Sequence, residues 1–432
     1  MKKILFLSLL FTVFIGCSED DYLSEDNNIQ QTDAVFDTLK SWGFSDDEIE
    51  DKGTYYLVVG DIVFYKNKKY HSPNTSNTRQ REHPNSVTIN NVNVFLNTGM
   101  NNDWRNASIN AINRWNNASS GLFLNITPTL ANAHIEIMYD THDPATTLAP
   151  NVFGRGEFPT ADGLPGTRIW INPDFNACGF AITQNMRISN VQHELGHNLG
   201  IMHTNQSGGN LIPGTPSTDA QSVMNGGQAC SIDNFSAGDF SAIDFLFPPL
   251  NITGIALICS GSTNYNIQND GIPINWTTSS NLQILSSSNN GISVSPVNSS
   301  FNGSGFIQAA TPTHTIRRDI WIGDAIVDYV EFGNGVGGTD YFCSSHNGNT
   351  YSILPQQSGT THQIRLRRFP SLSIIYSPST NYVGNTGTVN FTPSPGWYVF
   401  EVRRTNSCGT SEWFSTEVEY VDCSNGGGGE EF

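Results

Sequence analysis

Basic side chains are scarce in this 432-residue chain: 21 Lys and Arg stand against 39 Asp and Glu, for a formal charge of −18. An acidic surface of that size repels nucleic-acid phosphates and anionic lipid, so neither polyanion is an expected partner. Long apolar runs are missing too. The one sustained stretch, residues 4–15 behind Lys2 and Lys3, is too short and too near the start for a spanning helix and reads as a secretory signal. Cysteine is sparse, with seven in the whole chain; setting Cys17 aside leaves six, an even number compatible with disulfides in an exported protein. Helical periodicity nearly vanishes after Pro249, which excludes a helical C-terminal half and leaves short alternating strands broken by Asn, Ser, Gly and Thr.

One stretch is dense in chemistry. His193, Glu194, His197, Gly200 and His203 stand at the spacing HExxHxxGxxH, written HELGHNLGIMH. Positions i and i+4 share one face of a helix, so His193 and His197 can grip one ion together. Gly200 can take the left-handed conformation that ends a helix, and the returning chain brings His203 to the same ion. Three imidazoles leave the fourth tetrahedral position open, which separates a catalytic zinc site from a structural one closed by four protein ligands. A lone HExxH arises by chance in ordinary helices, and a lone histidine is usually a satisfied core or surface residue. Five specified positions make Zn2+ the stronger reading. Zinc lowers the pKa of a bound water to about 7 and polarises a carbonyl. Glu194, beside the first ligand, is then the expected general base and later general acid. Peptide hydrolysis is the reaction these residue types suit.

The long motif followed by a methionine turn resembles the metzincin clan of zinc endopeptidases and, within it, the bacterial M57 peptidases. The likeness is carried by Ile212-Pro213-Gly214-Thr215-Pro216, by Asp219, by Ser222-Val223-Met224-Asn225, and by the segment from Phe235-Ser236-Ala237-Gly238-Asp239 to Phe247-Pro248. It covers about residues 50–250. The resemblance implies an α+β metzincin-type domain in which His193, His197 and His203 hold zinc while Met224 forms an apolar floor beneath them and is not itself a ligand. Ser236 and Asp239 also form a capping-box pattern, an independent physical reason for a helix to start there. Two departures stand out. Thr204-Asn205 follows the third histidine where a Thr-Asp pair is commoner, and Gly226 occupies the place where astacin-like enzymes carry a tyrosine as a switching fifth ligand.

The chain divides into a lipoprotein signal (1–17), a propeptide (18–86), a zinc protease domain (87–250), two all-β modules (251–323 and 324–423) and a flexible tail (424–432). Gly16-Cys17 resembles a bacterial lipobox, which makes Cys17 the expected lipidated residue and that anchor the only membrane contact. The acidic run Ser18-Glu19-Asp20-Asp21 resembles the export tether of Bacteroidetes surface lipoproteins, so an outer-membrane, cell-surface location is expected. In the propeptide a strand is predicted over 55–64, followed by a polar loop with Arg79 and Arg81 as cleavage points. Gly60-Asp61-Ile62 resembles the aspartate switch of astacin propeptides, in which a carboxylate fills the open zinc position. Asp61 is thus the candidate latency ligand, with a plain turn aspartate as the alternative.

In the protease domain, periodicity predicts a helix over 104–116, strands over 122–126, 133–139 and 167–172, and an active helix from near Ile188 to Gly200. Strand 167–172 is expected to border the cleft and to offer its edge to an extended peptide substrate. Cys178 and Cys230 flank the active helix and the methionine turn and are the expected disulfide; the pairing of Cys259, Cys343, Cys408 and Cys423 stays open. The C-terminal modules resemble PKD-like or immunoglobulin-like sandwiches, with Trp276 in an early strand of the first. They read as spacers, or as a face for a glycan or protein ligand. Calcium among the scattered aspartates has no specific support. Two functions follow: a secreted, surface-anchored zinc endopeptidase, or a surface adhesin whose zinc domain has lost turnover, against which the intact Glu194 counts.

Overall fold

The computed structural model describes residues 33–60, 62–70, 80–118, 120–143, 147–205, 209–231, 234–333, 341–345 and 347–423. Cys17, Asp61, Arg79 and the tail 424–432 lie outside them. Among the described residues, no helix is long and apolar enough to cross a membrane.

The N-terminal unit is an eight-stranded mixed sheet with helices against it. Its elements are α1 (Ala34–Ser41), β1 (Ile49–Asp51), β2 (Tyr55–Val58), β3 (Ile62–Tyr65), β4 (Arg81–Glu82), β5 (Asn91–Leu96), α2 (Asn102–Asn116), β6 (Phe123–Ile126), β7 (Ile135–Tyr139), β8 (Gly154–Glu157), β9 (Arg168–Ile171), α3 (Gln184–Asn198), β10 (Ile201–Met202), β11 (Asn210–Leu211) and α4 (Ala237–Leu246). The sheet runs β1-β2-β3-β8-β9-β7-β5-β6. Alternation sorts its side chains: Val92, Val94, Ile135, Ile137, Ile169 and Ile171 face the helices, joined there by Trp104, Trp115, Val191 and Leu195. Met138 and Trp170, one residue out of phase, face the other side and pack with Tyr55, Leu57 and Val63.

Local chemistry sets the helix starts. Asn101 accepts from Trp104 N at 3.0 Å and starts α2 two residues ahead of the predicted position. Thr183 accepts from Met186 N at 3.2 Å, so α3 begins at Gln184, one turn before Ile188. The predicted strand 55–64 is instead two strands. Val59 and Gly60 both have positive φ (48° and 92°), which folds the segment into a hairpin with Val58 opposite Ile62. Strand 167–172 likewise differs from its expectation: β9 lies between β7 and β8 and has no open edge. The strand on the cleft side is β8, Gly-Arg-Gly-Glu, whose lack of apolar alternation hides it from a periodicity reading.

The C-terminal part is two β-sandwich modules. The first stacks two four-stranded sheets, one with Thr263–Ile267 beside Gly291–Pro296 and one with Gly303–Ala310 beside Thr315–Ile322. Trp276 is buried between them and donates from Nε1 to Ser288 O at 2.7 Å. The second packs Phe332, Phe342, Tyr351, Phe400 and Tyr420 between a three-stranded and a larger sheet. Disulfides Cys178–Cys230, Cys259–Cys408 and Cys343–Cys423 are present; the second ties the first module to the turn after Gly396–Thr405 in the second.

Candidate metal centre

Helix α3 puts His193 and His197 on one face, and its end is set by Gly200, whose φ of 97° turns the chain back into β10 and then to His203. The Nε2 atoms of His193 and His197 each lie 3.1 Å from Nε2 of His203. Nδ1 of His193 faces Val223 O at 2.7 Å, and Nδ1 of His197 faces Ile201 O at 2.9 Å. A carbonyl oxygen can only accept, so both Nδ1 atoms carry the proton and both Nε2 atoms present a lone pair inward. Nε2 of His203 meets these two lone pairs either with a proton of its own or, unprotonated, across a cation held between the three rings. Tetrahedral ligands about 2.0 Å from one ion stand about 3.3 Å apart, so the spacing suits a transition metal. Among the described residues, this triad is the one group of three such side chains whose ligand atoms meet. Burial, followed by the neighbouring His193 and His203, holds His197 well below the usual imidazole range, in the neutral form a metal needs.

Glu194 is 3 % exposed and sits against β8. A Cβ at residue 154 would lie 2.7 Å from its Oε1, and a Cβ at 156 would lie 2.8 Å from its carbonyl oxygen, so two glycines let the strand run directly beside the helix. Inside the motif, Gly196 does the same for Met224: a Cβ there would come within 2.4 Å of the Met224 sulfur. Met224 is fully buried in the core under α3.

The turn carrying Met224 is tied from both sides. Asp239, 1 % exposed at the start of α4, accepts from Ser222 Oγ at 2.5 Å, Val223 N at 2.8 Å and Ser236 N at 3.0 Å. Ser236 Oγ in return accepts from Asp239 N at 3.0 Å, completing a capping box. On the other side, Thr204 N donates to Met224 O, and Asn205 exchanges two hydrogen bonds with Gly226. The unusual Thr204-Asn205 pair therefore stitches the third histidine's loop to the methionine turn.

Residues 80–85, placed upstream of the 86/87 division in the sequence, belong physically to this centre. Strand β4 lies between β10 and β11, and His83 N donates to Gly200 O at 2.7 Å. Gln80, fully buried, donates to Asp219 Oδ2 at 2.6 Å. Arg81 is 7 % exposed and reaches Gly209 O, so it is a poor cleavage point in the folded chain. Periodicity gives no sign of these contacts because they join short polar segments far apart in sequence.

A cleft of about 280 Å³ opens beside the triad, lined by His193, Glu194, Phe153, Phe175, Val59 and Gly60. The last two come from the β2–β3 turn. Asp61, the next residue, is outside the described residues.

No family model matches the chain, and no curated protein matches it. Solved structures that match include a biofilm-associated protein BSP domain (12 % identity, TM-score 0.17, 40 % of this chain and 30 % of that one). Others are domains from titin (11 %, 0.18, 38 % and 59 %) and FN1–FN3 domains of chicken CNTN1 (12 %, 0.23, 40 % and 65 %). The chain spans less than two thirds of each. At such scores none of their names bears on what this chain does.

Proposed function

We propose that this chain is a zinc-dependent endopeptidase of metzincin type, acting on extended segments of extracellular proteins. The observation that carries the reading is the convergence of three imidazole Nε2 atoms, two of them with lone pairs fixed inward by carbonyls behind the rings, next to a buried glutamate on the wall of a cleft. His193, His197 and His203 would hold zinc, which would supply Lewis acidity toward a scissile carbonyl. Glu194 takes the proton from the attacking water and delivers it to the leaving amine. Gly154 and Gly156 keep β8 close enough for a substrate strand to lie within reach of that carboxylate.

In this reading Cys17 anchors the uncut chain at the cell surface and Asp61 is the latency ligand of an N-terminal propeptide, while the two immunoglobulin-like modules follow the protease domain at the end of the chain remote from the anchor. Elemental analysis of purified full-length protein tests the metal. Casein digestion by the same protein, intact and after limited trypsin treatment, with and without a chelator, tests the activity. Glu194→Ala is expected to keep zinc and lose hydrolysis, because only the proton carrier goes. Zinc-free protein that takes up no added metal sinks the proposal.

A second reading is a surface-binding protein with an inert zinc domain. Large apolar side chains on the second module favour it, notably Trp397 and Phe369, each 53 % exposed. Zinc retention without any digestion in those assays would support it.

A further inference from the structure

Strand β3 adds to the edge of β8, parallel to it, with Ile62 opposite Gly156 and Val63 opposite Glu157. Without residues 55–65 that edge would be the free margin of the sheet at the metal centre, since β8 is the strand whose Gly154 touches Glu194. Extended peptides bind such edges through main-chain hydrogen bonds, and their alternate side chains are sorted by the surfaces on the two sides of the strand. Here both surfaces are apolar. Ile62 and Phe64 pack with Phe158 and Met202, the Phe64 and Phe158 rings 5.5 Å apart. Val63, on the opposite side, packs with Met138, Leu148 and Trp170. At the next position Tyr65 donates its hydroxyl to Glu157 Oε1 at 2.9 Å. Phe158, Met202, Met138, Leu148, Trp170 and Glu157 belong to the body of the unit and remain when the N-terminal segment moves away, while Trp42 and Tyr70, whose rings also pack on Phe64, leave with it.

We infer that β3 stands where a substrate strand binds, and that the site takes extended segments with large apolar or aromatic residues at three consecutive positions. A tyrosine is favoured at the fourth. The inference rests on the peptidase reading and deepens it. The hairpin turn at Val59 and Gly60 reaches the cleft beside His193 and Glu194, so the strand leads away from the metal along β8 and marks one side of the cut bond.

The test profiles cleavage of a proteome-derived peptide library by the zinc-loaded full-length chain, intact and after limited trypsin treatment that severs the connection between residues 70 and 80. Glu194→Ala serves as the blank. Cut peptides are expected to be enriched at least fivefold in Ile, Val, Phe or Tyr at three neighbouring positions on one side of the bond, and Phe158→Ser is expected to flatten that preference. A synthetic peptide of residues 55–65 is expected to inhibit hydrolysis, and the same peptide with Ile62, Val63 and Phe64 each replaced by Ser to inhibit at least tenfold less. Hydrolysis that prefers small or charged residues at those positions, or equal inhibition by the two peptides, overturns the inference and leaves the peptidase reading standing. No hydrolysis above the blank from either form overturns the peptidase reading, and this inference with it.

Discussion

The Nδ1 of His193 lies 2.7 Å from the carbonyl oxygen of Val223, and the N–H of the same valine donates to Asp239 at 2.8 Å. One residue of the methionine turn thus couples a candidate metal ligand to a buried carboxylate on α4. Asp239→Asn preserves the shape but replaces one accepting oxygen with a donor, in a place where three donors point at the carboxylate. A loss of about 2–3 kcal/mol is expected. It should appear as a lower melting temperature together with faster zinc release to a chelator. A variant that melts and holds zinc like the parent would show that the coupling does not matter.

Gly196→Ala tests the packing inside the motif. The added methyl would sit 2.4 Å from the Met224 sulfur and 2.7 Å from its terminal methyl, closer than any stable contact. Met224 is fully buried and can yield only by disturbing its surroundings. Overpacking of this kind costs about 1–3 kcal/mol. Thermal unfolding should show the cost, and Gly196→Ala paired with Met224→Ala should recover part of it.

Acid sensitivity is expected in the second sandwich. His362 is 1 % exposed, accepts from Tyr351 OH at Nε2 and donates from Nδ1 to Gly384 O, so it is held neutral. Burial pushes its pKa down from 6.5 to about 4. The unfolded chain therefore binds more protons between those values. The stability that His362 contributes is complete above pH about 6.5 and is lost as pH falls toward 4, by up to about 3 kcal/mol. Denaturant melts of the parent and His362→Gln across that window should diverge in slope; parallel lines would contradict the assignment.

The Cys178–Cys230 bond joins the segment ahead of α3 to the loop after the methionine turn, 52 residues on. Its removal by the paired change to Ser is expected to cost about 2–4 kcal/mol. Since both cysteines lie outside the triad, zinc content at saturation should stay at the parent level while the midpoint of unfolding drops. Loss of zinc at full folding would assign the bond a more direct part.

Much of the centre was legible because a helix fixes the i, i+4 relation and Gly200 announces the turn that follows. Those features are local, and local order follows from local sequence. The supports of the centre were not legible. Gly154 and Gly156 serve α3 from a strand with no apolar rhythm, and Gln80 meets Asp219 across 139 residues. Gly196, within the motif itself, carries a signal that was available: a mid-helix glycine lowers helix propensity and usually has a packing reason. The strand predicted over 55–64 failed at one point, where Gly60-Asp61 interrupts the apolar run with a dipeptide that favours a hairpin turn as well as resembling a latency motif. The pairing of Cys259 with Cys408 depends on how two modules meet, which residue patterns within each do not encode.

Strand β4 fixes where a minimal recombinant form of the N-terminal unit that keeps the His203 loop intact must begin. A form started at Val87 would lack the middle member of the β10-β4-β11 sheet, leaving main-chain groups of Ile201, Met202, Asn210 and Leu211 to seek solvent on the loop that carries His203. Any maturation event compatible with a working third ligand has to cut upstream of Gln80, so the new amino terminus would arise already knitted into the architecture it serves.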